Sequence, residues 1–360
     1  MPRRLAVLAV FLAAASLLAR GQQLPGALPP LERYLEPLRS QAGIPGMSAA
    51  LVQDGEIIWE AGFGFQNVAT RVRATPDTPY PVGDLSQTLA AILALQCVEQ
   101  RRMYLDDPIA RYDGSLPERN ATLRQVLNHT SADPPGTAFL YSPERYMQLT
   151  SAIQWCAPQP YRKSVAHRIL DRLAMNDSVP GTDLTDSSVV PEDLFDPSDL
   201  DRYRQVLDRM AVGYKVDGKG RPERTDLTPE GVTAAGGLVS TVRDLAKLDQ
   251  ALDTSVLLTQ DTLAAAWTPG TDPSGNAFPT GLGWFVQVYR GERVVWHFGF
   301  LPNAYSALMV KLPDRHLTFI LLANSDRLSA PFQLSSGDVT RSVFAILFLK
   351  RSTCSLPGVC

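Results

Sequence analysis

Histidine and cysteine are both scarce in this chain, which has only four of each among its 360 residues. The cysteines form no C-x-x-C pair and the histidines are scattered, so no metal-ligand spacing can be recognised. An excess of one charge sign is also lacking, because 34 Lys and Arg are balanced by 37 Asp and Glu in an even scatter. Without a basic stripe, a nucleic-acid partner is not expected. We therefore predict no metal, no cofactor and no nucleic-acid ligand.

Long hydrophobic runs are absent as well, with one exception at the amino terminus. Arg3 and Arg4 precede an apolar run over residues 5–18, and Ala19-Arg20-Gly21 puts small residues where a signal peptidase cleaves. The run is shorter than the roughly 20 residues that a membrane-spanning helix needs. Residues 1–21 are therefore predicted to be a cleaved signal peptide, and the mature chain to be periplasmic or secreted without a membrane span. An uncleaved anchor is the alternative.

Four cysteines suit an oxidising compartment but do not require a disulfide. Cys354 and Cys360 flank a Pro-Gly turn, and we expect them to form a small terminal disulfide. Cys97 lies in an apolar segment, where a packed hydrophobic residue is more common than a reactive thiol.

The chain is organised around residues 80–101, YPVGDLSQTLAAILALQCVEQR, which predict one helix that is apolar around its whole circumference. Such a helix has no face for water and is expected to be buried. Asp84 followed three residues later by Gln87 matches a capping box, in which both side chains bond amides of the first helical turn. A helix cap is therefore the first interpretation of this pair, and a new catalytic pair the second.

The order of the other patterns predicts the architecture. An Asp54-Gly55 turn joins two strand-like runs into a hairpin over residues 45–64. Four strand-like runs lie between residues 283 and 323, before a closing helix over 339–349. The middle third is helical and loop-rich, with an irregular polar excursion over 176–208. We predict an α+β fold, in which an antiparallel sheet built from both ends of the chain is flanked by helices and carries a helical insert.

The predicted domain bounds follow from these patterns. The sheet domain takes residues 22–104 and 209–350, the helical insert takes 105–208, and 351–360 form a carboxy-terminal tail.

Several segments in this order resemble the serine β-lactamase and penicillin-binding-protein superfamily, specifically its branch of class C β-lactamases, DD-peptidases and esterases. Besides the central helix, the segments are IPGMSAALVQDGEIIWEAGFG, TLRQVLNHTSA, PGTAFLYSPERY, AAGGLVSTVRDLAKL, GLGWF and HFGFLPNAYSALMVKLPDRHLTFILLANSD. The likeness covers nearly the whole mature chain and implies the β-lactamase/transpeptidase-like fold. Function is a separate question, because it depends on the site and not on the fold.

The resemblance aligns the family's first catalytic motif with residues 84–87 of this sequence. In the family, a Ser and a Lys in the pattern S-x-x-K open the first helix, and the Lys takes the Ser proton. The aligned residues here are Asp84 and Gln87, so the nucleophile and its base are both missing. Ser86 lies two positions along the helix, with Leu89 three residues after it, and is not expected to inherit the role.

Two further family elements are partly kept. The Y-x-N element falls at Tyr141-Ser142-Pro143, where the tyrosine is present but Pro143 replaces the Asn that bonds substrate. Tyr141 is equally compatible with a cleft residue and with a packed aromatic. The strand element K-T-G or H-x-G is His297-Phe298-Gly299, which implies a strand edge that holds a substrate carbonyl or carboxylate. His129-Thr130-Ser131 matches a family segment that supports the loop before Tyr141.

The predicted ligand-binding residues are thus Asp84, Gln87, Tyr141, His297 and Gly299. Exchange of Ser and Lys for Asp and Gln changes the formal charge of the pocket from +1 to −1, which favours a cationic or hydrogen-bond-donating ligand. If Asp84 lies within about 6 Å of His297, it should raise the pKa of that histidine.

Three functions are compatible with these observations. The one we favour is an exported pseudoenzyme that has lost acyl transfer and binds a small amide, ester or peptidoglycan-like ligand. The alternative is an active hydrolase with non-standard machinery around Tyr141, Asp84 and His297. The third is an interaction protein whose former cleft is plugged by side chains. No oligomeric state is predicted.

Overall fold

The computed structural model describes residues 31–114, 119–186 and 194–353. The predicted signal peptide and the predicted disulfide between Cys354 and Cys360 lie outside these residues. The α-helices are α1 (Glu32–Ala42), α2 (Gln87–Glu99), α3 (Leu123–Leu127), α4 (Pro143–Tyr146), α5 (Leu149–Cys156), α6 (Tyr161–Val165), α7 (Pro197–Asp208), α8 (Val242–Asp253), α9 (Gln260–Ala266) and α10 (Val343–Ser352). The strands are β1 (Gly46–Gln53), β2 (Glu56–Asn67), β3 (Val72–Arg73), β4 (Tyr80–Pro81), β5 (Val179–Pro180), β6 (Tyr214–Val216), β7 (Pro222–Arg224), β8 (Leu238–Ser240), β9 (Phe285–Tyr289), β10 (Glu292–Leu301), β11 (Tyr305–Leu312) and β12 (Leu317–Ala323).

A seven-stranded sheet with the order β3-β2-β1-β12-β11-β10-β9 forms the centre of the fold. Strand β1 pairs antiparallel with β12, with Ala50 opposite Ile320, so the two ends of the chain meet in the middle of the sheet. The predicted hairpin is present, and Asp54 and Gly55 both have positive φ, at 51° and 80°, as a tight turn between twisted strands requires. The predicted α+β fold with a sheet from both chain ends is confirmed.

Both faces of this sheet are buried, because successive side chains of a strand point to opposite sides. On one face Ala50, Ile320 and Leu322 pack in the same apolar cluster as α2. On the other face Leu51 and Phe319 belong to a second cluster, which α1 and α10 cover. The sheet therefore separates two cores and presents one face to the central helix.

Helix α2 is buried as its composition predicts, and every residue from Gln87 to Cys97 is buried. The predicted capping box is wrong. The chain enters the helix through a 3₁₀ turn, Gly83–Ser86, and neither the turn nor α2 has a side-chain cap. Asp84 thus lies inside the helical stretch and not in the extended conformation that a capping residue adopts, and its side chain is free for other partners.

The segment over 176–208 is more regular than its polar composition suggested. It contains the twelve-residue helix α7, which starts at Pro197 and packs Tyr203 and Val206 inward. It also contains β5, which pairs with β8 in a three-stranded sheet beside β4. The sequence features that indicate α7 are a proline at the first helical position and apolar residues three positions apart. The domain bounds remain a prediction, although α10 runs two residues past the predicted end at 350.

Cys97 is not a free hydrophobic thiol but is joined to Cys156 in a disulfide. Helices α2 and α5 pack side by side and bring the two Cα atoms to 6.3 Å, which suits a disulfide. The expectation for Cys97 was wrong because sequence spacing does not specify which cysteines pair. Among the described residues, no helix is long and apolar enough to cross a bilayer.

Candidate functional site

The site is built where the chain passes from β4 into α2. Tyr80 pairs with Ser240 of β8, and the amide of Val82 donates to the carbonyl of Leu238, which fixes the approach. Gly83 then adopts a φ of 55°, and a Cβ there would lie 2.7 Å from the amide nitrogen of Phe300. A side chain at Gly83 would collide with β10, so glycine lets the turn sit directly on that strand. This contact positions Asp84 next to the end of β10.

Asp84 and Gln87 are held in one chain of hydrogen bonds. His129 Nε2 lies 3.1 Å from Gln87 Oε1, and Gln87 Nε2 donates to the Tyr141 hydroxyl at 3.1 Å. The Tyr141 hydroxyl in turn hydrogen-bonds the Asp84 carboxyl. At the other end, the amide of Ser142 donates to His129 Nδ1 at 3.3 Å. The predicted site residues Asp84, Gln87 and Tyr141 are therefore in direct contact.

The direction of each hydrogen bond follows from the donors and acceptors available. Because His129 Nδ1 accepts from a backbone amide, its proton must be on Nε2, which donates to Gln87 Oε1. The amide nitrogen of Gln87 is then left to donate to Tyr141, whose own hydrogen points to Asp84. The chain runs in one direction from histidine to carboxyl, and every member has a partner.

Burial controls the protonation of this chain. Loss of solvation raises the pKa of Asp84 to about 8, opposed by the hydrogen bond from Tyr141. Burial likewise lowers the pKa of His129 to about 3, with the nearby His297 adding to the effect, and raises the pKa of Tyr141 well above its usual value. At neutral pH Asp84 is mostly protonated, so the pocket is close to neutral. The expected charge of −1, and the preference for a cation based on it, are not supported.

Aromatic rings pack around the hydrogen-bonded chain. Tyr141 lies 4.5 Å from His129 and 5.2 Å from Phe298 between ring centroids, and His129 stacks on Tyr146 at 5.0 Å. Tyr141 thus has features of both a packed aromatic and a site residue, since its ring packs among other rings and its hydroxyl is hydrogen-bonded within the site. Asp84 is only 8% exposed and Gln87 is fully inaccessible. The site is largely closed to solvent.

His297 and Gly299 lie on β10 beyond its pairing with β9, which ends at Trp296. His297 is 2% exposed, and its Nδ1 lies 2.8 Å from the carbonyl oxygen of Phe298. Burial lowers its pKa to about 4, and Asp84 is not among the causes. The expected rise in the pKa of His297 is therefore wrong, because the cost of burying a charged imidazole dominates and Asp84 is mostly uncharged.

Gly299 has a clear structural role. A Cβ at this position would lie 1.9 Å from the carbonyl oxygen of Val82, and the Gly299 carbonyl accepts a hydrogen bond from the Ser329 hydroxyl at 2.8 Å. Only glycine lets the chain before Asp84 cross β10 so closely. Gly299 therefore holds the two halves of the site together, and its predicted role in ligand binding remains a prediction.

The family model described as Beta-lactamase matches residues 31–335. The chain belongs to the beta-lactamase family.

Relatives and solved structures agree with this membership. A penicillin-binding protein of Bacillus subtilis is 21% identical over 76% of this chain and 67% of its own length. Protein flp of Staphylococcus aureus is 22% identical over 82% of this chain, which spans only 62% of that relative. The octameric penicillin-binding protein homologue from Pyrococcus abyssi aligns with a TM-score of 0.72 at 22% identity, over 89% of this chain and 76% of its own. The D-amino acid amidase from Ochrobactrum anthropi aligns with a TM-score of 0.67 at 22% identity, over 90% of this chain and 99% of its own. At these identities the solved structures show the fold alone.

Ser86 of this beta-lactamase family protein is held by hydrogen bonds to the backbone. Its hydroxyl donates to the Gly83 carbonyl at 2.7 Å and accepts from the Leu238 amide at 3.3 Å, and the residue is 1% exposed. The hydroxyl thus ties the 3₁₀ turn to β8. Pro143, which replaces the family asparagine, starts α4, and Ser142 caps that helix by accepting from the amide of Arg145.

His129 is the site residue that sequence reasoning missed, since its segment was given only a structural role. It adopts a positive φ of 56°, and its ring nitrogen Nε2 contacts Gln87 at the start of α2. A histidine beside an asparagine and two hydroxyl residues was the only available signal. Among the described residues, no group of three or more His, Cys, Asp or Glu side chains could hold a metal ion.

Proposed function

We propose that this chain is an exported member of the beta-lactamase family that has lost acyl transfer and acts as a binding or regulatory pseudoenzyme. The observation that carries the proposal is the hydrogen-bonded chain of Asp84, Gln87, Tyr141 and His129. It occupies the positions to which the resemblance assigns the nucleophile and its base. Its members are hydrogen-bonded to one another and packed among aromatic rings.

Acyl transfer needs a nucleophile and a group that takes its proton. The carboxyl of Asp84 is mostly protonated at neutral pH and therefore a poor nucleophile. The amide of Gln87 is not a base, and Ser86 is bonded to the backbone on both sides. None of these residues provides the pair that the family uses.

The ligand we propose is a small, uncharged amide or ester, or a peptidoglycan-like peptide that presents a carbonyl. The near-neutral pocket does not favour a cation. On the side of β9, β10 has no partner strand past Trp296, although β11 pairs with its other side as far as Leu301, and a ligand carbonyl could pair with that edge. Names of relatives, a penicillin-binding protein and a D-amino acid amidase, suggest the same ligand chemistry. Because Tyr141 packs against Phe298 at this edge, binding requires that its ring move.

Export is supported by the leader-like residues 1–21 and by the disulfide between Cys97 and Cys156, a bond typical of oxidising compartments. It is tested by expressing the full chain with its own leader and determining the amino terminus of the mature protein. A protein that keeps Met1 and stays inside the cell would contradict export.

The loss of acyl transfer is tested by intact-protein mass spectrometry after incubation with a penicillin, a reactive phosphonate and a p-nitrophenyl ester. We expect the wild-type protein to gain no adduct and to release no nitrophenol above buffer. The double variant Asp84→Ser, Gln87→Lys shows whether the scaffold still supports the chemistry, and Asp84→Ser alone is its matched control without a base. An adduct on the wild-type chain, mapped to any residue, would refute the proposal.

A second function is favoured by one observation, the pKa of Asp84 near 8. A carboxyl with such a pKa, bonded to Tyr141, can serve as a general acid or base near neutral pH. A hydrolase that activates water at this site would turn over esters without a covalent adduct. Steady release of nitrophenol by the wild-type protein, abolished in Asp84→Asn, would select this function over the pseudoenzyme.

A further inference from the structure

The sequence contains three N-x-S/T sequons, the acceptor pattern for N-linked glycans: Asn120-Ala121-Thr122, Asn128-His129-Thr130 and Asn176-Asp177-Ser178. The pattern alone is common, but the structure exposes Asn120 and Asn176 and buries Asn128. A folded protein can carry a glycan only where the side chain reaches solvent, because the sugar is bulky and hydrated.

Asn120 meets that condition. It is exposed, lies in the loop just before α3, and its side chain makes no hydrogen bond within the described residues. It borders a cavity of about 330 Å³ whose wall includes Arg119, Ser131, Asp133 and Arg145. Polar side chains at this position suit a hydroxyl-rich ligand, and nothing at Asn120 has to move to make room for one.

Asn128 fails the same condition. It is 4% exposed, its side-chain amide pairs with the Thr130 hydroxyl at 2.6 Å, and Thr130 itself is fully buried. A Cβ on Gly270 would lie 2.8 Å from the side-chain amide group of Asn128, which shows how closely that backbone approaches. A sugar on Asn128 would separate these elements, next to His129 and the functional site. Asn128 is therefore an internal negative control in the same chain.

We propose that Asn120 is an N-glycosylation site, an inference that rests on the export part of the proposed function. The amide nitrogen of Asn120 attacks the anomeric carbon of an oligosaccharide carried on a polyprenyl diphosphate. A C–N bond forms, the C–O bond to the diphosphate breaks, the amide loses one proton and the polyprenyl diphosphate leaves. Thr122 supplies the hydroxyl of the sequon before it becomes the cap of α3, where it accepts from the Gln125 amide.

The test expresses the full chain with its own leader in cultured animal cells and compares Asn120→Gln, Asn128→Gln and Asn176→Gln. Protein from the medium is treated with peptide N-glycosidase in ¹⁸O water, which converts a glycosylated Asn to a labelled Asp. We expect label at Asn120 and none at Asn128, with a gel shift that Asn120→Gln loses and Asn128→Gln keeps. Asn176 is exposed too. The variant Asn176→Gln removes any gel shift from that site, so the shift that Asn120→Gln loses can be assigned to Asn120.

Secreted wild-type protein with unlabelled Asn120 would overturn the inference and leave export intact. Label at Asn128 in secreted protein would also overturn it, because burial would then not decide the site. A chain that keeps its leader and remains unglycosylated inside the cell would overturn export and this inference together. Thr122→Ser keeps both the sequon and a capping hydroxyl and should keep the label, whereas Thr122→Ala destroys the sequon and should lose it.

Discussion

The substitution Asp84→Asn should change how the stability of the protein depends on pH. Folding raises the pKa of Asp84 from a normal value to about 8, so between about pH 4 and pH 8 the folded state binds a proton that the unfolded state has lost. The free energy of unfolding must then fall as pH rises across this window, by at most about 1.4 kcal/mol per pH unit. Asparagine has no proton to lose, so the variant lacks this contribution.

The two buried histidines act in the opposite direction. Their pKa values are lowered to about 3 for His129 and about 4 for His297, so acid favours the unfolded state below a normal histidine pKa of about 6.5. Together, these three groups should contribute most to stability near pH 6.5, and their contribution should fall from there up to about pH 8. Because the variant keeps both histidines, their effect cancels when the two proteins are compared.

The assay is urea unfolding followed by tryptophan fluorescence at pH 5, 6 and 7, without reductant so that the disulfide stays intact. The stability of Asp84→Asn relative to wild type should increase by up to about 2.7 kcal/mol from pH 5 to pH 7. Asp226→Asn is the matched control, because its carboxyl is 89% exposed and should follow the wild-type curve. Parallel curves for wild type and Asp84→Asn, within about 0.5 kcal/mol, would refute a strongly raised pKa and the near-neutral pocket.

Three further changes have defined expected results. Replacing Cys97 and Cys156 by alanine opens a loop with a sequence separation of 59, which should cost about 4 kcal/mol of unfolding free energy in a denaturant titration. Gly299→Ala forces a Cβ to within 1.9 Å of a backbone carbonyl oxygen and should cost about 3 kcal/mol or more, measured in the same way. Tyr141→Phe removes the hydrogen bond that lowers the pKa of Asp84, so a ¹³C-carboxyl NMR titration should show that pKa rising further.

Each of these has a control and a contradicting result. Gly218→Ala, with no atom within 4 Å of the added Cβ, should stay within about 0.5 kcal/mol of wild type. If Gly299→Ala proves as stable as Gly218→Ala, the chain before Asp84 does not cross β10 closely at Gly299. Unchanged denaturant midpoints with and without reductant would argue against the disulfide. If the pKa of Asp84 instead falls in Tyr141→Phe, the Asp84 carboxyl donates that hydrogen bond to Tyr141 and does not accept it.

The fold was predictable from sequence because its determinants are local. The Asp54-Gly55 turn, the strand-like runs and the all-apolar helix each depend on a few residues, and all three are present in the structure. The family resemblance then supplied the order in which these elements assemble.

The details of the site were not predictable, because its partners are distant in sequence. A capping box fits the spacing of Asp84 and Gln87, but Gln87 instead bonds His129 and Tyr141, which lie 42 and 54 residues away. The Gln87 side chain therefore bonds buried partners from other segments and not an amide of its own helix. The pKa of His297 was predicted in the wrong direction for a similar reason, since burial cannot be read from charge spacing.

The disulfide also places two residues of the site in a covalently closed ring. Residues 97–156 form one loop through the bond, and both His129 and Tyr141 lie on it. A protease that cuts once inside this loop produces two polypeptides that remain one molecule until the bond is reduced. The residues that close the cleft therefore stay tethered to the central helix after such a nick, and only reduction together with cleavage would release them.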